Sequence, residues 1–282
     1  MFIPTPGYKF LAFDLSQAET WVVAHLSKDP IMIRALKESD IHSVTAAAIY
    51  FPSDPNCDHF IFEKTDKGRL CTGCGRILLE TQRYIGKKNN HGNSYRQSPE
   101  MSTMSINSES DQPPYVTVTL KEVKSQHKKW HELYRGIKKW WNQIELNLEH
   151  NQRTLTTVYG RKRTFFDQWG PNLFKEATAF EPQSTVGDHT LGRVQPELGI
   201  EGGLLGIYKL PDIRKYCKIV NTSHDSFMME VPNGSEEDIA RQVIPLFRRP
   251  LLINDMEFTI PIDGEIGDRW GELEEIPKEW LL

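Results

Sequence analysis

The chain has 282 residues, 38% of them hydrophobic and 26% charged, with a formal net charge of −4. That length can bury a substantial core in one large domain or two ordinary ones, and the composition excludes a fibrous or wholly disordered chain. No apolar run is long enough to cross a bilayer, and the start MFIPTPGYKF lacks the basic-then-apolar order of a secretory signal. A soluble, intracellular, cytoplasmic protein with no membrane partner is expected. The negative total argues weakly against a nucleic-acid binder. Charge is unevenly spread, however: Lys121 to Lys175 holds 12 Lys and Arg against 5 Asp and Glu, whereas Asn221 to Leu282 holds 5 against 14. A basic middle is a reason to look for a polyanion there, the alternative being a solvated helix face.

In chain order, Tyr8 to Phe13 reads as a buried strand that ends at Asp14. Ser16, with Glu19 three residues on, has the capping-box pattern and opens a helix. Helices are expected over Pro30 to Lys37 and Asp40 to Tyr50, the second capped by Asp40. Phe51 to Leu70 reads as irregular, and Leu79 to Tyr95 as a helix. Pro99 to Tyr115 is rich in Ser, Asn and Pro and reads as a loop. Leu120 to Glu149 is strongly helical with a break near Gly136, and a hairpin is expected over Thr154 to Phe166. Asn172 to Arg193 reads as a helix interrupted near Pro182. Two short strands over Lys218 to Val231 meet at Ser223-His224-Asp225. A helix over Ser235 to Phe247, a strand over Phe258 to Ile262 and a tail complete the chain. Helices with a few antiparallel strands make the class α+β.

Three groups of residues carry chemistry. Asp14 and Asp225 each end an apolar strand, and neighbouring strands would bring the two carboxylates together. Such a pair suits Mg²⁺, which takes oxygen ligands and completes its shell with phosphates. Alternatively, Asp14 caps a helix and Asp225 makes a turn. Arg83, Lys87, His91 and Tyr95 recur every fourth residue and line one helix stripe. Two cations followed by two rings could carry a nucleoside triphosphate; a solvated amphipathic face is the plain alternative. Cys57-x-His59-x11-Cys71-x2-Cys74 has ligand spacing for one structural, tetrahedral Zn²⁺, against free cysteines in a surface loop. Cys217 stands alone and reads as a small buried residue.

Taken together, these segments resemble the palm and fingers of family A DNA polymerases. FDLSQAETWVVAHLS resembles motif A, and DIHSVTAAAIY the adjoining fingers segment. Arg83-x3-Lys87-x3-His91-Gly92-x2-Tyr95 resembles motif B, the fingers O helix. TVYGRKRTF, FEPQSTVGDH, SHDSFMMEV (motif C) and EIGDRWGELEEI follow in the family's order. The resemblance runs from about Lys9 to Glu275. It implies a palm with an antiparallel sheet in two parts, residues 1–30 and 151–282. Helical fingers over 31–150 would carry a zinc-knuckle-like insertion at about 52–78.

The implied activity is template-directed DNA synthesis by two-metal nucleotidyl transfer on primer–template DNA with deoxynucleoside triphosphates. Asp14 and Asp225 would hold two Mg²⁺ ions with the Leu15 carbonyl. Glu19 would disfavour a ribose 2′-hydroxyl. Arg83 and Lys87 would bind the triphosphate, and Lys87 would protonate the leaving pyrophosphate. His91 would lie against the incoming sugar and Tyr95 near the templating pair. Arg161, Lys175, Gln183 and His224 would touch primer or template. Several positions depart from the family pattern: Ser226 stands where motif C often has a second acid, Lys175 replaces an Arg, and Arg96 replaces a Gly. The Asn-His-Gly setting of His91 resembles viral or phage members, which would place the protein in a host cytoplasm. Thumb and exonuclease segments normally precede motif A, so a separate N-terminal partner is expected. The competing reading is a non-catalytic, zinc-bearing nucleic-acid-binding or replication accessory protein derived from a polymerase. A single-subunit RNA polymerase is disfavoured by Glu19.

Overall fold

The computed structural model describes residues 2–281. Its elements in chain order are β1 (Tyr8–Leu15), α1 (Ala18–Ser27), α2 (Pro30–Glu38), α3 (Ile41–Tyr50), β2 (Phe62–Thr65), β3 (Gly68–Cys71) and β4 (Ile77–Leu78). Then come α4 (Glu80–Ser94), α5 (Pro99–Asn107), α6 (Leu120–Leu133), α7 (Gly136–His150), β5 (Thr154–Thr156), β6 (Lys162–Thr164) and α8 (Pro171–Leu191). The chain ends with α9 (Gly203–Tyr208), α10 (Pro211–Tyr216), β7 (Lys218–Ser223), β8 (Ser226–Pro232), α11 (Glu236–Phe247), β9 (Leu251–Ile253), β10 (Met256–Phe258), β11 (Ile262–Gly267) and β12 (Glu274–Glu275). These fall into two compact units.

The first unit takes the residues up to Val22, Leu155–Arg163 and the chain from Phe180 onward. Its centre is an antiparallel five-stranded sheet in the order β12-β11-β1-β8-β7. From Leu11 onward β1 alternates, with Leu11, Phe13 and Leu15 buried and Asp14 exposed on the opposite face. Burying one side of a pleated strand forces the odd residues inward and leaves Asp14 on the open side. The covered face packs on α11, where Phe227 stacks on Phe13 at 5.2 Å and on Phe247 at 4.4 Å. Such a buried aromatic is worth about 3–5 kcal/mol against Ala. β7 is an edge strand, exposed along its length, with an irregularity between Ile219 and Asn221.

The second unit takes Val23–Thr154 and Thr164–Ala179 and is built on helices α2 to α7. Ile49 of α3, Ile85 of α4, Ile106 of α5, Val118 of the segment before α6 and Val123 of α6 form one apolar cluster. The rest of the α4 contact is polar. Asn89, Asn90, Asn93 and Ser94 are all buried. Asn89 Nδ2 donates to Gln126 Oε1 at 3.1 Å and to the Ile85 carbonyl at 3.0 Å. A polar helix can pack this way because most of its buried amide groups find partners, the Asn93 Oδ1 oxygen being an exception.

Five expectations change. α1 starts at Ala18 because Gln17 adopts φ 55°, which ends any capping box based on Ser16 and Glu19. Pro99 to Tyr115 is not all loop: the Ser98 side chain caps α5, Pro99 occupies its first turn, and Ile106 anchors it in the core. The stretch 51–70, expected to be irregular, contains β2 and most of β3. α8 continues through Pro182, with Phe180, Thr185 and Val186 buried around it. The strand expected over Phe258 to Ile262 is a break between β10 and β11, and the expected tail supplies β11 and β12 to the main sheet.

Candidate functional site

The structure brings Asp14 and Asp225 together. Asp14 is the penultimate residue of β1, and Asp225 sits in the turn between β7 and β8. The Leu15 N–H donates to the Asp225 carbonyl at 3.1 Å, which ties the turn to the end of β1. His224 enters that turn at φ 53°, with Nε2 3.4 Å from Glu19 Oε1 and Nδ1 4.0 Å from Asp225 Oδ1. Leu15 is buried. The Asp14 carboxyl is pushed up to about 6, first by burial and then by the negative charges of Asp225, Asp263 and Glu265. Crowded acids of this kind favour a shared proton or a hard cation between them.

Asp263 and Glu265 were absent from the sequence reading. In the β1–β11 register Asp14 faces Asp263, while on its other side it faces Ser226 of β8. Asp263 and Glu265 are the exposed, alternate residues of β11, on the face that carries Asp14. They line, with Asp14, Ser223, Ser226 and Trp270, a cleft of about 1070 Å³. The alternation in Ile262-Asp-Gly-Glu-Ile266 was the signal that would have found this strand.

In the helical unit, the expected stripe of α4 forms. Lys87 and His91 are exposed, and the His91 and Tyr95 rings meet edge to face at 5.8 Å. Arg83 is not a free phosphate hook: Asp40, the cap of α3, accepts from both its Nε and its Nη2. That pair holds the Asp40 carboxyl below its ordinary range although burial pushes the other way. His91, Gly92, Tyr95 and Lys175 share a cleft of about 360 Å³ with Ser102 and Met101 of α5. His42, two residues after the Asp40 cap, is buried, and that burial lowers it to about 4.

The remaining expected contacts are dispersed. Arg161 pairs with Asp188, its Nε lying 3.0 Å from Oδ2, and that buried carboxylate also attracts Arg193 at 3.8 Å. Gln183 is exposed on α8. Arg96, at φ 58°, donates to Thr178 Oγ1 and to the Trp141 carbonyl, both at 2.9 Å, and pairs with Glu145. Its guanidinium thus occupies a site that glycine would leave empty.

Cys57, His59, Cys71 and Cys74 come together with all four ligand atoms within 4.8 Å of one another. Cys57 and Cys71 sulfurs are 3.5 Å apart, and His59 Nδ1 lies 3.3 Å from Cys74 Sγ and 3.8 Å from Cys71 Sγ. A tetrahedral zinc ion keeps its sulfurs ~3.8 Å apart, so the donor set fits that ion in type and spacing. His59 Nε2 lies 3.1 Å from the Pro52 carbonyl, which orients the ring and leaves Nδ1 to the thiols. Burial pushes the Cys71 thiol up to about 11, while the Cys74 thiol is lowered. Gly73 is required here, since a Cβ would lie 2.6 Å from Cys57 Sγ. The cluster closes the β2-β3-β4 sheet, which leads directly into α4 and is tied to it by Arg69 Nε–Glu80 Oε1 at 3.2 Å.

The fold is that of a polymerase domain: the chain matches the POL domain of Pol1 from M. smegmatis, solved in complex with DNA primer-template and dNTP, at a TM-score of 0.64. That match has 18% identity and covers 95% of this chain and 41% of the other. The sequence likeness is to family A DNA polymerases. The family model described as DNA polymerase family A matches residues 1–60. DNA polymerase I of Borreliella burgdorferi is 25% identical over 283 residues, covering 96% of this chain and 26% of the relative. The thermostable DNA polymerase I of Thermus aquaticus is 21% identical over 291 residues, covering 99% and 28%. The chain thus spans about a quarter of the length of these relatives. Among the described residues no helix is long and apolar enough to cross a membrane.

Proposed function

We propose that this chain is the catalytic palm-and-fingers portion of a family A DNA polymerase that adds deoxynucleotides to a primer 3′ end. The observation that carries the reading is the convergence of Asp14 and Asp225 at the joined ends of β1 and the β7–β8 turn. The sheet unit is read as palm and the helical unit as fingers. Asp14 and Asp225, with the Leu15 carbonyl, would hold two Mg²⁺ ions. Their crowded oxygens fit a hard cation, and Asp263 supplies a nearby carboxylate where Ser226 offers none. When bound, such ions neutralise the triphosphate and lower the pKa of the attacking hydroxyl.

The chain's own residues then align the reaction. Lys87 and Arg83 would hold the triphosphate, Arg83 in the orientation that Asp40 fixes. His91 and Tyr95 would bear on the sugar and the templating pair, while Glu19, braced by His224, would crowd a 2′-hydroxyl. The primer 3′-oxygen would bond to the α-phosphorus as the bond to pyrophosphate breaks, and Lys87 would supply a proton to the leaving group. Arg161, Lys175, Gln183 and His224 are assigned to primer or template. The Cys57–His59–Cys71–Cys74 cluster would hold one structural Zn²⁺ and so anchor the start of α4. A viral or phage origin rests on the Asn90-His91-Gly92 setting alone, and the relatives named above are bacterial.

Ser226 is the specific observation that favours a non-catalytic, DNA-binding derivative. Primer extension with Mg²⁺ separates the two, run with this chain alone and with N-terminal polymerase segments supplied. Extension should appear and fall at least ~10³-fold in Asp225→Ala, the scale of losing a group that stabilises the transition state. Extension that survives this substitution rejects the site, and binding without extension in every combination favours the derivative.

A further inference from the structure

We propose that Phe166 and Trp169, in the loop that enters α8, form a stacking platform for the bases of single-stranded nucleic acid. Both rings, and the groups that hold them, belong to the helical unit. The loop is anchored from below. Phe165 is buried, and its N–H donates to the Arg153 carbonyl at 3.0 Å. Thr154 Oγ1 and Thr164 Oγ1 lie 2.8 Å apart beside it. The next residue, Phe166, is 89% exposed, and Trp169 is 48% exposed. Phe174 meets the Trp169 ring edge to face at 5.2 Å, and the Arg153 guanidinium lies 5.7 Å from its centre. Arg153 Nη1 also donates to the Asp167 carbonyl at 2.8 Å, so one cation braces the loop between the two rings.

One exposed apolar residue is ordinary on a protein surface. Two rings three residues apart, held out by an arginine, are less so, and their charge setting points to a partner. From Arg153 to Lys175 the chain carries Arg153, Arg161, Lys162, Arg163 and Lys175 against a single carboxylate, Asp167. This is the end of the basic stretch noted in the sequence. Cations interleaved with exposed rings suit a strand that offers phosphates to the one and flat bases to the other.

Duplex DNA keeps its base faces stacked inside, so it has nothing to lay on Phe166. A second copy of the chain is a poor fit as well, because two rings fall far short of the ~800 Å² per partner that a stable protein interface buries. An unpaired strand meets both conditions. The inference does not rest on catalysis: a polymerase and a non-catalytic, DNA-binding derivative would use the platform alike.

The test measures fluorescence anisotropy of labelled oligo(dT) with the full chain. Phe166→Ala should bind it ~10-fold more weakly, within the range of one lost base stack. Phe166→Trp should keep the affinity, whereas Phe166→Leu, apolar but not flat, should not. Phe166 is so exposed that these variants leave the core intact. Photocrosslinking of bromodeoxyuridine oligomers, mapped by mass spectrometry, should mark Phe166 or Trp169. No binding by the unsubstituted chain, an affinity unmoved by Phe166→Ala, leucine serving as well as tryptophan, or crosslinks confined to other residues overturns the platform. Duplex DNA that competes as well as the single strand rejects the preference for unpaired bases. A dimer in sedimentation that Phe166→Ala dissolves, with oligo(dT) binding intact, assigns the ring to a protein contact instead. Asp225→Ala should leave oligo(dT) binding unchanged, so a failure of the platform and a failure of the polymerase reading are read in separate experiments.

Discussion

Asp14 shows how one carboxylate serves two masters. Its position on the open face follows from the alternation in Tyr8 to Leu15, which the sequence displays plainly. Its electrostatic surroundings do not, because Asp263 and Glu265 come from a strand some 250 residues away, interrupted by Gly264 and easily read as a tail. The raised Asp14 carboxyl has a stability consequence whose sign is fixed by linkage. The folded chain holds its proton up to about pH 6, whereas the unfolded chain releases it near pH 4. The stabilisation is therefore complete below about pH 4 and is lost as pH rises through about 6. With divalent cations removed, Asp14→Asn should be more stable than the parent at pH 7.5 by about 1 kcal/mol after solvent screening. That difference should vanish near pH 3.5. Thermal melts at both pH values check this, and a constant difference would refute it.

At the level of elements, the sequence displayed helices with clear caps and hid those whose order comes from polar burial. Asp40 before Ile41 announces α3, and the observed cap agrees. α5 was hidden by its Ser- and Asn-rich composition, although Ser98-Pro99 is a sound helix start and Ile106 a sound anchor. The Cys and His cluster was legible from its spacing, whereas the small sheet that presents it was not: strands of four, four and two residues carry almost no periodicity. If these ligands hold zinc, the metal organises that sheet. The purified chain should carry one equivalent of zinc, and Cys71→Ser should lose it. Removal by a chelator should open β2 to β4 to proteolysis and leave the α6 and α7 amides protected. Metal analysis with limited proteolysis measures both. Stoichiometric zinc retained by Cys71→Ser would exclude this ligand set.

For the whole molecule, the total charge of −4 was the wrong quantity to consult. Lys121 to Lys175 carries the basic surplus, and the C-terminal part, with Asp225, Asp263 and Glu265, carries the acidic one. Not every cation in the basic stretch is available, since Arg161 is engaged by the buried Asp188. Primer–template binding should weaken steeply with salt, and Lys175→Gln should reduce the slope of log K against log salt by about one phosphate contact. Filter binding across a salt series measures it, and an unchanged slope removes Lys175 from the DNA contact. The overall likeness was read from the order of the motifs, and the relatives and the solved structure that the chain matches are 18–25% identical to it.

The order β12-β11-β1-β8-β7 puts Asp14 on the middle strand, hydrogen-bonded along both edges. Such a strand has no cheap way to open. Its neighbours at the rim, the two-residue β12 and the exposed β7, can fray and leave β1 paired. Proton exchange at the amides of Leu11 and Phe13 should therefore be the slowest in the sheet unit and track its global unfolding, with β7 exchanging through local excursions. The proposed catalytic aspartate would then be lost only when the unit itself is, and thermal inactivation would follow one all-or-none event.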